Sequence, residues 1–166
     1  MRIFLMFFFC FKLIAASAVS YDIYSLRQLY YEAAAKKESA KKFLSVMENL
    51  DDKSDPLLLC YKGLAHLIQA KYSYNPNTKL TSFSKGKMML EKAIVSDPKN
   101  VEIRFMRFCV QTNAPYFLGY NNNISSDKLA IIKAWSPLSD LDLKEKIRKF
   151  MLTSNSCTNS EKIIFK

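Results

Sequence analysis

The chain has 166 residues, 49% of them hydrophobic, and its 25 Lys and Arg against 15 Asp and Glu give a formal net charge of +10. This length suits a single domain with a hydrophobic core of its own, so the fold does not require disulfide bonds. Only three Gly and five Pro are present, and apolar residues recur at spacings of three and four rather than two. Composition and spacing therefore predict an all-α protein.

The first twenty residues have the pattern of an export signal, with a basic start, an apolar run and the small-residue site Ala16-Ser17-Ala18. The apolar run, residues 3–14, is shorter than the roughly 20 apolar residues that cross a bilayer as a helix. We therefore expect residues 1–18 to be a cleaved signal peptide rather than a permanent anchor. Residues 19–166, beginning at Val19, would then form an exported domain, periplasmic or secreted.

The positions of the cysteines indicate structural rather than catalytic roles. Cys10 lies inside the apolar run and lacks the small residues that precede a lipidated Cys. The mature chain keeps Cys60, Cys109 and Cys157, an odd number that cannot form a closed disulfide framework. Cys60 and Cys109 lie in apolar helical runs and are expected to be small buried hydrophobes. Cys157 lies in the polar segment SNSCTNS, so we expect an exposed thiol or the partner in a bridge.

Apolar spacing and capping residues predict about seven helices and a short last helix after Thr158. The predicted helices cover residues 23–36, about 40–47, 56–71, 82–95, 101–111, 125 or 126 to about 135, and about 140–152. The polar KKES stretch, residues 36–39, is predicted to be a tight turn, with one long helix as the alternative. Residues 72–81 and 113–124 are predicted loops.

Four of these helices have a predicted start signal. Asp55-Pro56 opens the third helix with an acidic cap and a proline in the first turn. Asn100 is the predicted cap of the fifth helix, and Ser125 or Ser126 that of the sixth. Ser139, with Asp142 three residues later, is interpreted as a variant of the capping box for the seventh.

The third and fourth predicted helices carry a pattern of small and apolar residues, namely Leu59, Gly63, Gly86, Leu90, Ala93 and Pro98. This pattern resembles one tetratricopeptide repeat (TPR), a pair of helices in close contact. The small residues Gly63 and Gly86 would let the helices approach, while Leu59 and Leu90 would fill the gap between them. The resemblance implies a TPR-like α-α superhelix that forms a single domain.

The resemblance covers about a third of the chain and departs from the standard repeat of about 34 residues. About eleven extra residues, YSYNPNTKLT among them, separate the two helices relative to that repeat. In the next repeat, Arg104 and Phe108 occupy positions where the family has Leu or Trp and Gly. The whole chain is also similar to small exported TPR-like proteins of bacteria of the Bacteroidetes group, a family of unassigned activity. This similarity implies a fold and a compartment only.

The predicted loops contain the candidate partner-binding residues, which are Tyr72, Tyr74, Asn113, Tyr116, Phe117 and Tyr120. Aromatic side chains on loops are common recognition devices. If both loops lie at the same end of the helical stack, they would form one amphipathic patch for a peptide or glycan. In the alternative interpretation, Tyr116, Phe117 and Leu118 plug the end of the stack and Gly119 makes the turn.

Catalytic and metal-binding patterns are not found in the sequence. His66, the only histidine, is expected to be packed between helices rather than to be catalytic. A single His with scattered Cys does not provide a zinc set, so we predict no metal and no cofactor. No nucleophile elbow, metalloprotease motif or phosphate-binding loop is present. Asp140 and Asp142 are explained by capping of a helix start.

Cleavage of the signal removes Arg2 and Lys12 and no acidic residue, which lowers the net charge from +10 to +8. The first functional hypothesis is an exported TPR-like module or scaffold that binds a protein or peptide and has no enzymatic activity. The alternative is a basic structural protein held by charge on anionic lipid or envelope polymer. Nucleic acid is the weaker choice because export removes the usual partner. A hydrolase with an unrecognised site near His66 ranks third.

Overall fold

The computed structural model describes residues 22–50 and 55–166, and the predicted signal peptide with its cleavage site lies outside these residues. The described residues form eight α helices and no strand, which confirms the all-α prediction, and the eight helices correspond to the seven expected ones and the short last one. The helices are α1 (Ile23–Ala35), α2 (Lys37–Glu48), α3 (Pro56–Tyr72), α4 (Pro76–Ser96), α5 (Val101–Asn113), α6 (Ile124–Trp135), α7 (Leu141–Thr153) and α8 (Asn159–Ile163). A 3-10 turn covers Tyr116–Leu118.

Several helix starts confirm the predicted caps. The Asp55 carboxylate accepts hydrogen bonds from the N–H groups of Leu57 and Leu58 at the start of α3. The side-chain oxygen of Asn100 does the same for the second and third residues of α5. Thr158 and Glu161 form a reciprocal capping box at α8, the predicted short last helix. These side chains satisfy N–H groups that have no partner within their own helix.

The boundary between α1 and α2 differs from both predicted alternatives. Lys36 alone separates the helices, with φ −133° and ψ 132°, and Lys37 already belongs to α2. The KKES turn is therefore wrong, and so is the single long helix. One extended residue is enough to redirect the chain, since the Lys36 N–H still bonds to the Glu32 carbonyl.

The predicted loop over residues 72–81 is wrong for most of its length. Asn75 accepts hydrogen bonds from the N–H groups of Asn77 and Thr78, and Pro76 is the first residue of α4. This is the same cap-and-proline start that opens α3, and it places helix α4 six residues earlier than predicted. The extra residues relative to a standard repeat therefore lengthen a helical pair and do not form a free loop.

The caps of α6 and α7 also differ from the predicted residues. Helix α6 begins at Ile124, so Ser125 and Ser126 lie in its first turn. Helix α7 is capped by Asp140, whose carboxylate accepts a hydrogen bond from the Leu143 N–H, and not by Ser139. The Asp140 carboxylate is also held by a hydrogen bond of 2.6 Å from the Arg27 guanidinium, which fixes it at the start of α7.

Consecutive helices pack as pairs, α1 with α2, α3 with α4, and α5 with α6. The odd-numbered helices also contact one another in the order α1, α3, α5, α7, which makes them a continuous layer. Helix α8 is tied to α6 by an ion pair of 2.9 Å between Lys128 Nζ and a carboxylate oxygen of Glu161. The Phe165 ring beyond α8 packs edge-on against Trp135.

The closest helix contact lies between α3 and α4 and confirms the expected approach at Gly63 and Gly86. A Cβ atom added to Gly86 would lie 2.5 Å from the Gly63 carbonyl oxygen and 2.7 Å from Leu67 Cγ. A Cβ on Gly63 would lie 2.8 Å from the Gly86 carbonyl oxygen. Leu90 and Ala93 of α4 are fully buried beside this contact. Neither glycine can carry a side chain without separating the helices.

The core is continuous from α1 to the C-terminus and includes two of the cysteines. Cys60 is fully buried, as expected. Cys157 is only 7% exposed, so the prediction of an exposed thiol is wrong. Its Sγ lies 4.0 Å from Met151 Sδ, because Cys157 faces the core while its polar neighbours face solvent. Cys60, Cys109 and Cys157 are all free thiols.

A buried ion cluster joins the four odd-numbered helices. Arg27 of α1 donates hydrogen bonds of 2.7 and 2.8 Å to Glu102 of α5, and bonds of 2.6 and 3.1 Å to Asp140 and Asp142 at the start of α7. The Tyr61 hydroxyl of α3 donates to the same Glu102 carboxylate at 2.5 Å. Arg27 is 2% exposed and Glu102 is 4% exposed. Asp140 and Asp142 therefore do more than the predicted capping.

The cluster shifts the titration of its members. Burial alone would lower the pKa of the Arg27 guanidinium, but the hydrogen bonds with Glu102 and Asp140 outweigh burial and raise it. The same bond to Arg27 lowers the pKa of Asp140 below its usual range. Stability from this pair is therefore fully present above the unfolded Asp pKa of about 3.9. It is lost as the pH falls through the lower folded pKa.

A second ion cluster joins α4, α5 and α6 and includes Arg104. Arg107 donates hydrogen bonds of 2.7 and 2.9 Å to Asp127 of α6 and one of 2.7 Å to Glu91 of α4. Arg104 donates to the same fully buried Asp127 at 2.9 Å. Phe108 is fully buried and packs edge-on against Phe150 of α7. Charge pairing thus holds α4, α5 and α6 where a standard repeat uses close packing.

We predict that Gly86→Ala destabilises the domain by about 1 to 3 kcal/mol, because the added methyl group overlaps backbone and side-chain atoms of α3. Met88→Ala, at a position 63% exposed on the same helix, should change stability by less than about 0.5 kcal/mol. Urea unfolding followed by circular dichroism measures both. Equal stability of Gly86→Ala and the unchanged protein would contradict the close contact.

We predict that Arg27→Met destabilises the domain by about 3 to 5 kcal/mol, because Glu102 is then buried without its cation. Arg148→Met is the matched control, since Arg148 pairs with Glu145 on the surface and should cost less than about 1 kcal/mol. Adding Glu102→Gln to Arg27→Met should recover part of the loss. Chemical unfolding of the unchanged protein, the two single variants and the double variant measures these differences. Similar losses of stability for Arg27→Met and Arg148→Met would contradict a buried cluster.

Candidate functional site

A groove of about 1470 Å³ is lined by side chains of the odd-numbered helices. Its lining comes from the second halves of α1, α3, α5 and α7, whose first halves hold the Arg27 cluster. The first turns of α4 and the segment after α5 add further lining residues. The apolar lining includes Tyr30, Tyr31, Leu64, Leu67, Ile68, Leu80, Phe83, Cys109, Val110, Phe117, Leu118, Phe150 and Leu152.

Helical spacing explains why these side chains face one groove. In α3, the residues Leu64, Leu67, Ile68 and Lys71 lie three and four positions apart and therefore share a face. In α7, positions 146, 149, 150 and 153 repeat the same spacing. The stripes of α3 and α7, which lie on either side of α5, form two walls of the groove.

Four lysines line the groove, and among the described residues no Asp, Glu or His does. Lys71 donates a hydrogen bond of 2.7 Å to the backbone carbonyl of Ala34, a partner that does not neutralise its charge. Lys149 forms a 3.4 Å ion pair with Glu145 in which both side chains are exposed. Lys146 lies 4.8 Å from the centre of the Tyr31 ring, and Lys79 is exposed near the start of α4. The groove is therefore apolar along its walls and positive where lysines reach it.

The candidate residues of the first predicted loop have separate environments. The Tyr72 hydroxyl donates a hydrogen bond of 3.0 Å to the Ala34 carbonyl, which ties the end of α3 to the end of α1. Tyr74 is 90% exposed, with Lys37 Nζ 4.4 Å from its ring centre. Neither tyrosine lines the groove, whereas Lys79 and Leu80 of the same segment do.

The second segment, residues 113–120, divides in the same way. Asn113 and Phe117 line the groove, while Tyr116 projects beside it and is 87% exposed. Tyr120 is 5% exposed, and its hydroxyl donates a hydrogen bond of 2.5 Å to Glu91. Tyr120 thus belongs to the second ion cluster, and it presents little surface to a partner.

The interpretation of the 3-10 segment as a plug for the helical stack is also wrong. Phe117 is 84% exposed, and Leu118 is only partly buried. Gly119 has φ 57°, a left-handed conformation that glycine adopts without strain, and it makes the turn as expected. Residues of both predicted loops, Lys79 and Leu80 with Asn113 and Phe117, line the same groove.

His66 lies in a packed position between α2 and α3, as expected. It is 6% exposed, and its Nε2 lies 3.0 Å from a Glu48 carboxylate oxygen without the alignment of a hydrogen bond. Burial lowers the pKa of this imidazole. His66 does not line the groove. Within residues 22–50 and 55–166, no three His, Cys, Asp or Glu side chains gather as metal ligands.

Sequence reasoning missed the groove walls and their lysines. The sequence shows the helical spacing of Leu64, Leu67, Ile68 and Lys71. This spacing does not distinguish a helix face buried in the core from one that lines a groove. In the part of the chain that the structure describes, no helix is both long and apolar enough to cross a membrane.

Tyr120→Phe is expected to lower the free energy of unfolding by about 1 to 2 kcal/mol, because it removes a hydrogen bond to the charged Glu91. Tyr116→Phe, the same chemical change on an exposed ring, should be neutral within about 0.5 kcal/mol. Thermal unfolding of the two variants distinguishes a structural tyrosine from a surface one. Equal melting temperatures for the two variants would contradict the assignment.

No protein-family model matches this sequence, and comparisons with curated proteins and with solved structures return no match. The TPR resemblance therefore rests on the residues of one repeat and on the contact between Gly63 and Gly86.

Proposed function

We propose that the protein is an exported TPR-like binding module, without catalytic chemistry, that holds a segment of a protein partner in the groove. The observation that carries the proposal is the groove itself, about 1470 Å³ in volume and lined by apolar side chains of four successive odd-numbered helices. Pockets for small molecules have volumes of roughly 300–1,000 Å³. A larger apolar groove suits a peptide segment, such as one amphipathic helix.

The charge of the groove indicates which side chains the partner segment would carry. Lys71, Lys79, Lys146 and Lys149 reach the groove, and no acidic side chain among the described residues lines it. Acidic residues on the partner would therefore be attracted, and basic ones repelled. We propose a segment whose apolar side chains contact Leu67, Val110 and Phe150 and whose carboxylates face the lysines.

The absence of catalysis is part of the same proposal. Cys109 is a possible nucleophile in the groove lining. The described lining provides no His, Asp or Glu that could act as its general base. A nucleophile without a general base is poorly activated at neutral pH. Export is proposed from the N-terminal sequence pattern alone, and the groove is compatible with either a periplasmic or a secreted partner.

Capture from envelope extract tests the proposal with a matched pair of variants. Val110→Asp places a carboxylate in the groove, whereas Val95→Asp makes the same change at a position 79% exposed on α4, outside the groove. We expect one partner to be retained at high salt by the unchanged chain and by Val95→Asp, and to be lost by Val110→Asp.

Circular dichroism and the melting temperature check that both variants fold, and Lys149→Glu, at an exposed lysine of the groove lining, provides a second groove variant if Val110→Asp does not. Capture by all variants alike would contradict the groove as the binding site. Retention only of anionic material that salt releases would favour charge-based association instead.

A further inference from the structure

The 3-10 turn presents two aromatic rings to solvent in a fixed position. Tyr116 and Phe117 are 87% and 84% exposed. The turn is closed by hydrogen bonds of 3.0 Å from the Leu118 N–H to the Pro115 carbonyl and from the Gly119 N–H to the Tyr116 carbonyl. Water-exposed aromatic rings of this kind are unfavourable unless another surface covers them.

A third apolar side chain belongs to the same side of the molecule. Leu80, on the second turn of α4, is 60% exposed and lines the groove together with Phe117. Leu80 and Phe117 thus come from two different elements and line one groove. We call Leu80, Tyr116 and Phe117, with the lysines Lys71 and Lys79, the groove rim.

The charge at the rim is positive and is not neutralised. Lys71 donates to a backbone carbonyl, and no ion pair joins Lys79 to any other described residue. The mature chain predicted from the sequence also carries a net charge of +8, since the leader would remove two of the ten excess positive charges. A covering surface must therefore accept aromatic and aliphatic side chains and carry negative charge.

We propose that the groove rim docks on a lipid bilayer that contains anionic headgroups. Aromatic rings with a polar edge favour the boundary between headgroups and acyl chains. Lysines contact anionic headgroups while their aliphatic stems stay near the apolar boundary. The rim combines both features. This inference goes beyond the proposed function, since it places peptide binding at a membrane surface.

Tryptophan fluorescence tests whether the rim enters the bilayer. Phe117→Trp and Val95→Trp are made in the protein recovered after export, with Trp135 as a shared background. Vesicles of phosphatidylcholine, with and without phosphatidylglycerol, are the probe. We expect a blue shift for Phe117→Trp with the anionic vesicles only. Val95→Trp, at an equally exposed apolar position of α4, should not shift.

Vesicle sedimentation tests which side chains contribute. Tyr116→Ser combined with Phe117→Ser should weaken binding to anionic vesicles about tenfold or more. Lys79→Gln should weaken it about fivefold, whereas Lys92→Gln, an exposed lysine of the same helix outside the groove, should not. Equal binding by all variants, or an unshifted Phe117→Trp spectrum on bound protein, would overturn the proposal.

Two further outcomes separate this proposal from the binding of a partner segment. Val110→Asp should lose partner capture and keep vesicle binding, because Val110 lies inside the groove and not on its rim. If Phe117→Trp shifts with the captured protein partner and not with vesicles, the rim is a protein interface and membrane docking is contradicted.

Discussion

The architecture depends on one buried guanidinium. Arg27 joins α1 to α5 through Glu102 and to α7 through Asp140, and Tyr61 adds α3 to the same carboxylate. The arginine therefore links α1 directly to α5 and α7 through side-chain hydrogen bonds. A buried charge is costly unless it is fully paired, and full pairing requires all four helices to be in place at once.

The groove and the cluster share the same four helices. The cluster occupies the first halves of the odd-numbered helices, while side chains farther along these helices line the apolar groove. Helices α3 and α4 contribute Lys71, Lys79 and Leu80 to the groove lining, beside the side chains of α1, α5 and α7.

The sequence predicted the fold class, most helices and the contact at Gly63 and Gly86, because these depend on local spacing and on the size of one residue. It misassigned residues 76–81, where the Asn-Pro start of a helix was interpreted as a loop signal. The burial of Tyr120 and Cys157 was not predicted either, since both residues lie in polar segments of the sequence, yet Tyr120 bonds to Glu91 and Cys157 packs beside Met151. The Arg27 cluster joins residues up to 115 positions apart, and no local pattern reveals such pairing.

The central claim is that a protein partner binds inside the groove. A photo-crosslinking amino acid placed at position 110, on the groove wall, or at position 95, on the outer face of α4, tests it in cells that export the chain. The account predicts one crosslinked protein from position 110 and none from position 95. Crosslinking from position 95 without crosslinking from position 110 would contradict the account.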